Sequence, residues 1–113
     1  MKYLDKSGLE HYNSKIQTQI SNVNKKLYST IAGRNINETT GSIELWSENL
    51  NSITTSGFYN AMTCTNAAYP YATLVVIGYY LAGYCTQIIT DVTSGNMKKR
   101  SQINGSWTAW TDL

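Results

Sequence analysis

The sequence predicts an α+β fold: an N-terminal helix that self-associates, then a small antiparallel β-meander or sandwich knob. Three observations predict it. Apolar residues recur at helical spacing from Leu9 to Ile31. From Ile43 onward, short β-prone runs alternate with turn residues. The chain carries 9 Tyr and 3 Trp beside 1 Phe, and Tyr and Trp suit sheets and interfaces. Its 113 residues suffice for one domain and not two.

The helix comes first. Ser7 and Glu10 have the spacing of a capping box. Apolar positions follow at Leu9, Ile16, Ile20, Val23, Leu27 and Ile31. The steps from Ile16 are four, three, four and four, a heptad-like seam through Leu27 that extends back through Asn13 to Leu9. Between the seam positions lie mainly Gln, Thr, Ser, Asn and Lys. A narrow apolar stripe on a polar cylinder must be covered, because an isolated helix of this length is marginal in water. It is covered either by other copies in a coiled coil, the favoured expectation, or by the chain's own sheet. Gly33 is a natural stop for the helix. The expected organisation is helix over 1–33, linker and first strand over 34–48, and β domain over 49–113.

The strands follow in order. Ile43 to Trp46 is the first and Phe58 to Thr63 the second. Asn66 to Tyr71 is a loop with the only proline, Pro70. Thr73 to Tyr80 is apolar on both faces, which predicts a central strand. Leu81-Ala82-Gly83 turns it, and Tyr84 to Asp91 returns. Met97 to Ile103 alternates, and its Lys and Arg residues suit a strand facing water. Asn104-Gly105 is a strong two-residue hairpin signal. In the closing strand from Ser106 to Thr111, Trp107 and Trp110 are three apart and are expected on opposite faces.

Composition excludes several functions. Net charge is +2, which gives no electrostatic case for nucleic acid or an anionic membrane. The longest apolar run, Leu74 to Ala82, is far short of the roughly 20 residues of a membrane helix. The start, Met-Lys-Tyr-Leu-Asp-Lys, shows no signal peptide, so synthesis in the cytoplasm is expected. Cys64 and Cys85 match no metal-ligand spacing and read as small buried hydrophobes with free thiols. No metal or other cofactor is expected. No carboxylate pair has the surroundings of an acid–base couple, and no phosphate-binding glycine loop occurs, so no enzyme is expected.

A resemblance emerges from five ordered pieces. These are Asn49-Leu50-Asn51-Ser52-Ile53-Thr54-Thr55-Ser56-Gly57-Phe58-Tyr59, then Leu74-Val75-Val76-Ile77, Thr86-Gln87-Ile88-Ile89-Thr90-Asp91, Arg100 to Gly105, and Trp107-Thr108-Ala109-Trp110. Residues 49–113 thereby resemble the pyocin-knob module of tail fibres and related virion appendages of phages. Asn49 stands where that family often has Asp. The opening from Lys2 to Tyr12 is similar to the start of virion proteins in phages of Gram-positive bacteria. The resemblance implies a virion appendage, tail or head, that is threefold and made in the host cytoplasm.

On that resemblance, Leu9, Asn13, Ile16, Ile20, Val23 and Leu27 would join three copies, or attach the helix to other virion proteins. The knob would adhere to a host-surface receptor such as a glycan. Tyr69, Tyr71, Tyr80 and Tyr84 are the candidate receptor residues, since their rings offer flat faces to sugar C–H groups. The alternative is a capsid, head-fibre or baseplate decoration with no receptor.

Overall fold

In the computed structural model, the backbone is described for residues 6–28 and 30–113, with helix side chains described from residue 8 to 19. The chain divides into two units at Thr30/Ile31. The first contains α1, Lys6–Tyr28. Ser7 is already inside α1, so any capping residue precedes Lys6 and lies outside the described residues. The helix ends before Ile31, which continues the helical spacing of apolar residues in the sequence. Thr30–Ile31 (β1) and Arg34–Asn35 (β2) instead form a two-stranded hairpin. Ala32 and Gly33 both have positive φ, 51° and 76°, the signature of a tight primed turn. Gly33 therefore serves a hairpin and not a helix end.

The second unit is one mixed sheet. Its strands are β3 Ile43–Trp46, β4 Gly57–Met62, β5 Tyr71–Gly78, β6 Cys85–Asp91, β7 Met97–Ile103, β8 Ser106–Trp107 and β9 Thr111–Asp112. The spatial order is β3-β4-β5-β6-β7-β8, with β9 also on β7. Neighbours are antiparallel except β3 and β4, which are parallel. That pair needs a crossover, and residues 47–56 supply it. A single 3-10 turn, Leu50–Ser52, forms within it. Asn49 caps the turn: its Oδ1 accepts from Asn51 N at 2.9 Å and from Asn66 Nδ2 at 2.8 Å. Only an acceptor oxygen is needed there, which Asp would also provide.

Among the described residues, the only other sheet is the two-stranded β1–β2 hairpin, so the expected sandwich is replaced by one seven-stranded sheet. The inner face of the sheet is covered by irregular chain. Ile43, Leu45, Tyr59, Ala61, Ala72, Leu74, Val76 and Ile89 point inward and are buried. Leu50 and Ile53 from the crossover close over them, flanked by Ile31, Ile36, Cys64, Ala67, Ala68, Tyr69 and Trp110. β5 lies between β4 and β6, so its place at the centre matches its two apolar faces. The expected closing strand is broken. β8 and β9 are separated by residues 108–110, where Trp110 leaves the strand path.

The outer face is laid out by the strand register. Trp46, Met62 and Tyr71 share one row, and Glu44, Asn60, Thr73, Thr90 and Met97 share the next. Phe58, Val75, Ile88 and Lys99 form a third row. Beyond it lie Ile77, Thr86 and Ser101. Trp46 and Phe58 are each 64% exposed, and Tyr71 and Ile77 are also exposed.

Candidate functional site

The four tyrosines suggested by the sequence fall in three separate places. Tyr80 and Tyr84 lie on the β5–β6 hairpin with Tyr79. The Tyr79 ring is 4.6 Å from Tyr80 and 6.2 Å from Tyr84, centroid to centroid. Tyr80 is 82% exposed. Tyr79 N donates to Tyr84 O at 3.1 Å and closes the loop. Gly83 is required here: its φ is +89°, and a Cβ would stand 3.1 Å from Gly105 N. Tyr71 lies at the opposite end of β5, on the outer face, in a recess with Trp46, Met62 and Val92. Tyr69 is on neither of these surfaces; it packs against the core cluster.

The end of the sheet that carries Tyr69 is remote from the point where the chain enters this unit. Ile31 lies beside Gly57, its Cδ1 3.4 Å from where a Cβ there would stand. Gly57 and Met62 are the two ends of β4. Met62 pairs with Tyr71, and Tyr71 O accepts from Val92 N at 3.2 Å. The β6–β7 turn therefore sits at the far end. There Tyr69, Gly95, Asn96, Met97, Lys98, Asp112 and Leu113 line a recess of about 620 Å³. An aromatic wall, an amide and an ion pair thus face one space. That combination can hold a polar ligand that also has an apolar face.

The fold builds this recess from paired strands and one turn. Lys98 pairs with Asp112 across β7 and β9, and Lys98 Nζ donates to Asp112 Oδ1 at 2.8 Å. This bond holds the Asp112 carboxyl below, and the Lys98 ammonium above, its usual range. The turn is fixed by Asp91. Its carboxylate accepts from Thr93 N at 3.1 Å, Thr93 Oγ1 at 2.9 Å and Ser94 Oγ at 2.8 Å. The Ser94 bond, and then that from Thr93 N, hold the Asp91 carboxyl below its ordinary range. Asn96, Lys98 and Asp112 were not among the sequence candidates. Asn96 sits in a four-residue turn signal, and only the β7–β9 register brings Asp112 beside Lys98.

Arg100 is the largest departure from the sequence reading. Expected on a strand facing water, it is 6% exposed. Trp107 and Trp110 lie on the same side of the sheet, and the guanidinium is 4.0 Å and 4.8 Å from their ring centroids. The break between β8 and β9 is what defeats the strand alternation. Arg100 Nε donates to Gln87 Oε1 at 2.9 Å. Gln87, fully buried, donates through Nε2 to Leu50 O and Ile53 O, both at 2.8 Å. Trp110 Nε1 donates to Asn66 O at 2.9 Å. Burial pushes the Arg100 guanidinium down to about 10, and it remains charged at pH 7. These bonds tie β6 and β7 to the crossover and the 63–70 loop. They form a structural clasp, not a reactive site.

The remaining candidates are simply placed. Leu9 and Ile16 are exposed in the single chain, as are Asn13 and Tyr12. The side chains of Ile20, Val23 and Leu27 lie outside the described residues. Cys64 is half-buried and Cys85 buried, and both are free thiols. Burial pushes the Cys85 thiol up. Among the described residues, no three His, Cys, Asp or Glu side chains gather as metal ligands. No described helix is long and apolar enough to cross a membrane. Comparison with protein-family models, with curated proteins and with solved structures finds no match to this chain.

Proposed function

We propose that the chain is a phage or prophage appendage protein, assembled as a trimer through α1, whose β unit adheres to a glycan on the host surface. The observation that carries the adhesive reading is the recess around Tyr69, at the end of the sheet remote from chain entry. A sugar presents C–H faces to an aromatic ring and hydroxyls to amide, ammonium and carboxylate groups. Tyr69, Asn96, Lys98 and Asp112 offer all of these. Three such recesses on one assembly would convert weak sites into useful avidity. The trimer rests on the sequence resemblance and on the exposed seam residues Leu9 and Ile16.

The test uses the full chain on an array of bacterial surface polysaccharides. Wild-type protein is expected to bind at least one of them. An Asn96→Ala, Lys98→Ala double variant is expected to lose at least tenfold in apparent affinity while melting at the wild-type temperature. Wild-type binding that the variant retains at full strength overturns the Tyr69 recess as the site. No binding to any polysaccharide favours the purely decorative role.

A further inference from the structure

We infer that the outer-face recess between Trp46 and Tyr71 is a second binding site, whose ligand is a methylated ammonium group with no anion beside it. The inference goes beyond the glycan reading and rests on the β unit alone. Strand register builds the site. Trp46, Met62 and Tyr71 stand side by side on β3, β4 and β5. Two strand spacings of roughly 4.8 Å put Trp46 and Tyr71 about 10 Å apart, with Met62 between them. A cation seated over Met62 can lie within about 6 Å of both rings, the range in which a ring face attracts it. The core leaves both rings open: Trp46 is 64% and Tyr71 50% exposed. With Glu44, Asn60 and Val92 they line a space of about 360 Å³.

Charge selects the ligand. Glu44 is two residues from Trp46 and shares its face of β3. Among the described residues that line the recess, it is the one that carries a charge. Its Oε1 accepts from the neutral Asn37 Nδ2 at 3.2 Å. Arg34 lines a neighbouring recess with Glu44 but is committed to Glu48 by two bonds of 2.7 Å and 2.6 Å. The Tyr69 recess differs, because there Lys98 answers Asp112. Two ring faces, a polarisable thioether and a carboxylate together favour a soft cation. Methyl groups on the nitrogen supply apolar surface and remove hydrogen-bond donors that ring faces satisfy poorly. A zwitterion, such as the headgroup of a phosphatidylcholine lipid, fits worse. Glu44 would repel its phosphate, and no Lys or Arg lines the recess to receive it.

The test titrates choline into the ¹⁵N-labelled full-length chain and follows the Trp46 indole and Tyr71 amide resonances. Choline is expected to shift both saturably. Its neutral isostere, with carbon in place of the ammonium nitrogen, should bind at least fivefold more weakly, and so should phosphocholine. Glu44→Gln should weaken choline binding at least fivefold. Trp46→Leu, read at Tyr71, should weaken it at least tenfold, with both variants melting at the wild-type temperature. The Asn96→Ala, Lys98→Ala variant should bind choline as the wild type does, which separates this site from the Tyr69 recess. Equal binding of the neutral isostere overturns the inference, and so does phosphocholine binding more tightly than choline. The absence of any saturable shift overturns the site itself. Glycan binding is read on the array, so each of these results is distinguishable from a failure of the glycan reading.

Discussion

The two faces of the one sheet obey different rules. On the inner face, the central positions of β3 to β6 are buried and apolar, save Gln87, which is polar and fully bonded. On the outer face, the alternate residues are mostly Thr and large apolar or aromatic residues, with Glu44 and Asn60 among them, and several are widely exposed. The inner face spends its one buried cation on a clasp that fixes the crossover and the 63–70 loop. On the outer face, Trp46, Phe58, Tyr71 and Ile77 are all exposed. The difference teaches that burial in one copy determines the fold, while exposure of the same kinds of residue leaves surface for association.

The comparison breaks most sharply at Gln87. Gln87→Leu removes the side-chain partner of Ile53 O and Arg100 Nε and leaves Leu50 O only its bond from Ile53 N, and it should cost about 3–5 kcal/mol. Urea unfolding measures it. A loss under 1 kcal/mol would show that the clasp is dispensable. Arg100→Lys should come next. Lysine keeps the charge but loses the Nε bond to Gln87 and the planar contact with Trp107 and Trp110. The cost should be about 1–2 kcal/mol, with a changed tryptophan emission.

The outer face should behave oppositely. Phe58→Thr, at a position 64% exposed, should alter stability by less than about 0.5 kcal/mol. Urea unfolding beside Gln87→Leu measures the contrast. The smallest effect concerns the Asp91 turn. A depressed folded-state pKa means that the folded chain binds this proton less readily than the unfolded chain. The stability Asp91 contributes is therefore present above the ordinary carboxylate value of about 4. It is lost as pH falls through the lower folded value. Melting temperature should fall with acid less steeply in Asp91→Asn.

Much of the sheet was legible in the sequence for local reasons. Ile43–Trp46 and Met97–Ile103 have the expected bounds, and β4, β5 and β6 differ by one or two residues at their ends. Alternation and turn residues carry that information within a few positions. Asn104-Gly105 turns with φ of 50° and 83°, as a primed hairpin requires. What sequence reading missed is non-local or depends on where a strand stops. The parallel β3–β4 pair follows from the path of residues 47–56. Ile31 continued the helical spacing, but Ala32-Gly33 offered a hairpin turn that prevailed. The burial of Arg100 had one signal, a basic strand followed by two tryptophans, which alternation alone misreads. Tyr69 and Tyr71 read as one aromatic loop because only Pro70 separates them. The structure sends Tyr71 to the outer face and Tyr69 to the core side.

Sedimentation equilibrium of the wild-type chain over a hundredfold dilution tests most directly the central proposal, that copies of the chain join through the exposed helix seam. The predicted result is three times the 12.6 kDa chain mass, dissociating only at the lowest concentrations. A single-chain mass throughout the range would contradict it.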